Sequence, residues 1–167
     1  MRLLAAALAL LAATPAPPGE AARGLVAGSG GRPTLVHFIH APCACSVRAA
    51  PQVDRLRTAL GDKVRCVAVI DLAGPAAKAW LSGAGLGFEA FPDPELRAIG
   101  ALGVTRSLTT LLLDGEGREL GRWLGHDLAN LRAAAEAAAK AAGIPAAEVD
   151  ARDVPAETVA GCTFPSR

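Results

Sequence analysis

An α/β fold, a mixed β-sheet with helices on both faces, is what the sequence predicts, and three observations predict it. Apolar runs of strand length occur at 33–40, 64–70 and 108–113. Segments with apolar residues at helical spacing lie between and after them. A turn tetrapeptide, Asp114-Gly115-Glu116-Gly117, joins the third run to a fourth at 119–124. Strand, helix, strand implies a parallel crossover, whereas the tight turn implies an antiparallel hairpin, so one sheet holds both kinds of pairing. The 167 residues, 51% hydrophobic and 20% charged, suffice for one domain with one real core.

The first element is a leader. Met1-Arg2 precedes an uninterrupted apolar run, Leu3 to Ala13, then Thr14-Pro15-Ala16-Pro17-Pro18-Gly19, with no charge between Arg2 and Glu20. The run is shorter than the roughly 20 residues of a spanning helix and is broken by proline at once, which favours cleavage of a signal peptide over residues 1–22. An uncleaved anchor is the alternative, because no clean Ala-x-Ala marks the processing site. Once the leader is cleaved no stable membrane span remains. The expected location is extracytoplasmic, periplasmic in a bacterial envelope, where cysteine pairs persist as disulfides.

Residues 23–32, glycine-rich from Gly24 to Gly31, read as a linker. The domain proper covers 33–143. Pro33 to His40 is β-rich and reads as a buried strand that stops at Ala41-Pro42-Cys43. Ala49, Val53, Leu56 and Leu60 recur at helical spacing, and Gly61 supplies the stop. Val64 to Ile70 is the next strand and contains Cys66; a short helix follows from Pro75 to Leu81. The alternating glycines of 82–87 do not make a nucleotide loop, since Phe91-Pro92-Asp93-Pro94 follows where a phosphate-binding helix would have to start. A short helix from Pro94 to Leu102 leads to the hairpin. Asp127 caps a last helix whose Leu128, Leu131, Ala135, Ala138 and Ala142 form one apolar face, closed by Gly143 and Pro145. Residues 144–167 form a tail with little periodicity that carries a thiol, Cys162.

Composition excludes some functions. Seventeen Lys and Arg stand against 16 Asp and Glu, for a net charge of +1, so there is no excess charge to hold nucleic acid or an anionic membrane surface. An aromatic fraction of 4% with no tyrosine also removes the stacking platforms of single-strand binders. Four cysteines remain as the unusual chemical resource.

Cys43 stands at a strand-to-helix turn, where unpaired backbone N–H groups and the helix dipole stabilise a thiolate, the form that attacks disulfides. It is expected to be exposed and reactive. His40 and Arg48 are nearby in sequence and can add positive charge. Two residues apart on a helix means about 200° of rotation, so a Cys43–Cys45 disulfide requires Cys43 to sit just outside the helix. Cys162 is the competing partner, within reach on a tail of this length. Mid-strand Cys66 reads as a buried structural residue, and His37 as a satisfied, partly buried side chain. Trp80 and Trp123 read as packing residues.

Phe38-Ile-His-Ala-Pro-Cys43-Ala-Cys-Ser46, with Pro51 five residues after Ser46, resembles the active-site strand, turn and helix of thioredoxin-like proteins. Gly103 to Gly117 is similar to their second signature, and the resemblance spans about Pro33 to Gly143. Among subfamilies it looks closest to the exported thiol–disulfide oxidoreductases of the bacterial envelope, including redoxin or RedB-like proteins. It implies a thioredoxin-like fold, Cys43 at the nucleophilic position, and no dissociable cofactor. It also implies substrate contacts at Pro42, Ser46, Thr109 and His126. Ser46 takes the resolving cysteine's position, so the usual Cys-x-x-Cys has become Cys-Ala-Cys-Ser, and Thr109 stands where the family has a cis-proline. Peroxiredoxins share the fold, but Val36 and His40 stand where their Pro and Thr/Ser belong.

The reading that follows is exchange with protein disulfides through Cys43, with Cys45 or Cys162 as the resolving thiol and an unspecified redox partner. The alternative is a copper or zinc module using His40, Cys43 and Cys45, joined by His126 or Cys162. A third is a scaffold in which Cys45 and Cys162 form a structural staple.

Overall fold

The strand order β3-β2-β1-β4-β5 describes the single sheet of the computed structural model, which covers residues 19–165. Its strands are β1 (Thr34–Ile39), β2 (Arg65–Ile70), β3 (Glu89–Pro92), β4 (Thr110–Leu113) and β5 (Glu119–Trp123). Its helices are α1 (Glu20–Val26), α2 (Ala44–Leu60), α3 (Gly74–Gly83), α4 (Arg97–Ala101) and α5 (Leu128–Ala142). The strands β1, β2 and β3 are parallel, and β4 and β5 add antiparallel on the other side of β1. The expected mixed sheet is what the chain forms.

The central strands are buried on both faces, and their alternation separates two cores. Leu35 and Ile39 of β1 and Ala68 and Ile70 of β2 face one side, with Val53, Leu56 and Leu60 of α2 and Leu131, Ala135 and Ala138 of α5. Val36 and Phe38 of β1 and Val67 and Val69 of β2 face the other, with Leu25 of α1, Ile99 of α4 and Phe164 of the tail. Phe38 and Leu25 are fully buried.

Two elements correct the sequence reading. The predicted linker at 23–32 begins inside α1, and so does the predicted leader boundary at residue 22. Ala22, Leu25 and Val26 fall at i, i+3 and i+4, and burying that stripe outweighs the helix penalty of Gly24. Residues 1–18, which hold most of the leader, lie outside the described residues. The second correction is β3. The stretch at 89–92, to which the sequence assigned no element, pairs with β2 in the register Val67↔Glu89 to Ile70↔Pro92, as a short edge strand where proline is tolerated. Among the described residues no helix is long and apolar enough to cross a membrane.

The capping of α5 follows expectation. Asp127 accepts from the Asn130 amide at 2.7 Å, and the Thr158 hydroxyl of the tail donates to the same carboxylate. Burial alone would raise its pKa, but the bonds from Thr158, Asn130 and Ala129 more than offset that and hold it below the ordinary carboxylate range. Asp127→Ala is expected to cost about 1–2 kcal/mol, read as a lower denaturation midpoint by circular dichroism.

His37 lies inside the sheet with Nδ1 2.9 Å from the Thr110 hydroxyl. Burial, and to a smaller extent the neighbouring His126, lower its pKa from 6.5 to about 3. Between those values the unfolded chain binds a proton that the folded chain refuses. Stability from this group is therefore complete above pH 6.5 and is lost as pH falls towards about 3. Denaturant midpoints measured down that range are expected to fall, and His37→Gln is expected to flatten the slope.

Candidate redox site

Parallel β1 and β2 end in register at Ile39↔Ile70, so the next residues, His40 and Asp71, emerge side by side at the same edge of the sheet. The Asp71 carboxylate pairs with His40 Nδ1 and accepts the Ala41 N–H at 2.8 Å. The Ala41 carbonyl in turn accepts the Trp80 indole N–H at 3.3 Å. These bonds fix the Ala41-Pro42 turn that delivers the chain to α2. The Cys43 N–H donates to the His40 carbonyl at 2.9 Å, and Cys43 is the N-cap of α2, just outside the helix as a short-range disulfide would require.

Its partner, however, is distant in sequence. Cys43 is bonded to Cys162, with Cα atoms 6.0 Å apart, across 119 residues. Cys45 is a free, half-buried thiol. Expected to be exposed, Cys43 is instead 2% exposed, with the tail bonded to it. In the chain-entropy limit, closing so long an interval favours the oxidised folded state by about 5 kcal/mol.

The tail reaches Cys43 through main-chain pairing. Val159 exchanges both amide–carbonyl bonds with His126, at 2.9 and 3.1 Å. Farther along, the Ser107 N–H donates to the Cys162 carbonyl at 2.9 Å and the Cys162 N–H to Ser107 Oγ at 3.0 Å. The Phe164 N–H donates to the Thr105 carbonyl at 3.0 Å. Phe164 is buried, its ring edge-on to His40 with centroids 5.4 Å apart. Two glycines make the approach close enough. A Cβ on Gly125 (φ +84°) would stand 2.9 Å from the Val159 carbonyl oxygen, and one on Gly161 (φ +71°) would run into the Ser107 carbonyl.

The other expected site residues surround this bond unequally. Pro42 is exposed beside it. Ser46 is buried, and its hydroxyl has no hydrogen-bond partner among the described residues. Thr109 is buried with its hydroxyl donating to the Arg106 carbonyl at 2.8 Å, and among the described residues every peptide bond is trans. Leu108, just before it, takes a left-handed conformation (φ +61°), so this loop is shaped by an αL residue. His126 is buried, and its Nε2 meets the Gln52 side-chain oxygen; burial lowers its pKa, partly countered by Asp127.

Cys45 opens into a cavity of about 240 Å³ between α2 and the tail, lined also by Arg48, Gln52, His126, Pro155 and Val159. The Arg48 guanidinium is 3.7 Å from the Cys45 sulfur. Cys66 is structural, as its mid-strand position suggested, with burial pushing its thiol up to about 12. The ligand set His40, Cys43 and Cys45 does not converge, since Cys43 is held in the disulfide and His40 Nδ1 by Asp71. Among the described residues no three His, Cys, Asp or Glu side chains form a metal-holding group. The sequence reading missed Asp71, Ser107 and Phe164. Only Asp71 left a signal, as the polar residue ending the strand parallel to the one that ends at His40.

No family model matches the chain, and no curated protein matches it. Solved structures do. A putative thiol:disulfide interchange protein DsbE from Chlorobium tepidum is 23% identical over 71% of this chain and 85% of its own, with a TM-score of 0.58. A thioredoxin-like protein in its oxidised form is 19% identical over 68% of this chain and 80% of its own, with a TM-score of 0.56. The bacterioferritin comigratory protein of Xanthomonas campestris, described for alkyl peroxide reduction, is 15% identical over 57% of this chain and 69% of its own, with a TM-score of 0.50. At such identities the likeness speaks for architecture, and together with the strand order it shows that this chain has a thioredoxin-like fold.

Proposed function

We propose that this protein is an extracytoplasmic thiol–disulfide oxidoreductase that exchanges with protein thiols and disulfides through the pair Cys43 and Cys162. The observation that carries this reading is the disulfide between the N-cap of α2 and the tail. A helix N-terminus stabilises the thiolate released when such a bond opens, which suits Cys43 to leave and, once reduced, to attack in return. The reaction needs no dissociable cofactor. A partner dithiol becomes a disulfide while Cys43–Cys162 becomes two thiols, and the reverse reoxidises the pair.

Of the two resolving thiols open to the sequence reading, Cys162 is favoured, because it is already bonded to Cys43. The fold is shared with a chain described as a thiol:disulfide interchange protein. Peroxide reduction, the activity described for another chain of this fold, is disfavoured by Val36 and His40 at the positions of the peroxiredoxin Pro and Thr/Ser. Export is supported by the apolar run Leu3 to Ala13 and by cysteines that fit an oxidising compartment.

Reduction of insulin in the presence of dithiothreitol is the direct test. Cys43→Ser and Cys162→Ser are each expected to abolish the protein's acceleration of that reaction, whereas Cys45→Ser retains it; unchanged turnover in Cys43→Ser would remove the enzyme reading. For export, mass spectrometry of the protein made in a bacterial host is expected to find a processed N-terminus ahead of α1 in the extracytoplasmic fraction. An intact Met1 in the membrane fraction would indicate an anchor, and an intact Met1 in the cytosol would refute export.

A further inference from the structure

We propose that Cys162, and not the helix cysteine, is the sulfur that meets the partner, while Cys43 is the resolving thiol. This order of exchange rests on the redox reading above and reverses the role that the sequence assigns to Cys43.

Thiol–disulfide exchange is an in-line displacement: nucleophile, attacked sulfur and leaving sulfur fall on one line. For a partner to attack Cys43, it would have to approach along the extension of the bond from Cys162 through Cys43. Cys43 is 2% exposed, so that approach is blocked by the protein itself. Attack on Cys162 runs the other way, from the side of the half-buried tail residue, and expels Cys43. Both main-chain polar groups of Cys162 are hydrogen-bonded to Ser107, so the residue keeps its place while its sulfur is attacked.

The leaving group agrees with the geometry. Exchange is faster when the departing thiol has the lower pKa, and the sulfur at the N-terminus of the 17-residue α2 is the one that the fold stabilises as an anion. Cys162 lies in a segment without regular structure and caps no helix among the described residues.

The same segment explains how the intermediate is resolved. The bonds from Ser107 to Cys162, the Arg106 guanidinium on the Gly161 carbonyl at 3.2 Å, and buried Phe164 with its N–H on Thr105 all hold the tail without help from the disulfide. A mixed disulfide on Cys162 therefore stays beside Cys43. In the oxidising direction, the Cys162 thiolate attacks a partner disulfide and releases one partner thiol. The Cys43 thiolate then attacks Cys162, re-forming the bond and releasing the second. In the reducing direction, a partner thiolate attacks Cys162 and expels the Cys43 thiolate. The second partner thiol then attacks the first partner sulfur, and Cys162 departs as thiolate. Two electrons pass from partner to protein, and the two thiol protons end on the protein thiols or in solvent.

The test uses the full oxidised chain, limiting reduced glutathione, an iodoacetamide quench at successive early times, and fragmentation mass spectrometry to place each label. The earliest adduct is expected to carry glutathione on Cys162 and carbamidomethyl on Cys43, in about tenfold excess over the reverse pattern. Glutathione on Cys43 at the earliest times, with Cys162 alkylated, would overturn the order while leaving the exchanging pair in place. A bond that neither glutathione nor dithiothreitol opens before denaturant is added would overturn the redox reading and the order with it. Single variants give a second readout. Cys43→Ser is expected to accumulate mixed disulfides with an added protein disulfide and Cys162→Ser to do so far more slowly, and the opposite ranking would also overturn the order.

Discussion

A single covalent bond between the first turn of α2 and the end of the tail sets the terms for the rest of the site. It joins a strand-to-helix turn and a segment without regular structure across 119 residues. The bond is approached from both sides by preorganised main chain. On one side, Asp71 and Trp80 hold the His40-Ala41 turn; on the other, His126, Ser107 and Thr105 hold the tail. Each anchor is a hydrogen bond worth only about 1 kcal/mol net. Together they place two sulfurs at bonding distance, which neither loop would do alone.

Thioredoxin-like architecture supplies the helix N-terminus at which Cys43 stands. Ser46, three residues on from Cys43, is buried with no hydrogen-bond partner for its hydroxyl among the described residues. The sulfur bonded to Cys43 comes from the tail, and Gly125 and Gly161 let the tail pack closely. Cys43, bonded to the tail cysteine, is 2% exposed. Phe164 seals the arrangement against His40 and fills the core on the α1 and α4 side of the sheet, so the tail is part of the folded domain.

Much of the fold was legible in the sequence because it is local. Strand alternation, helical spacing from Ala49 to Leu60, the Asp114–Gly117 turn, and the Asp127 cap with its Gly143 stop are all encoded within a few residues of where they act. The misses have different causes. The α1 stripe of Ala22, Leu25 and Val26 is too short to stand out among glycines, and it becomes helical because α4 and β1 offer it a surface. At the opposite edge of the sheet, β3 is four residues between proline and glycine signals, and it is a strand only because β2 offers its free edge.

Taken alone, the sequence determined that a cysteine stands at the turn between a buried strand and a helix, that a serine follows three residues on, and that a further thiol lies on the tail. Those are statements about neighbours along the chain. Only the tertiary structure decided that Cys162 rather than Cys45 bonds Cys43, that Cys43 is covered rather than open, and that His40 is held by Asp71. Disulfide connectivity depends on the path of the chain through space, since side-chain chemistry is the same for every cysteine and local pattern carries no information about which two come within reach.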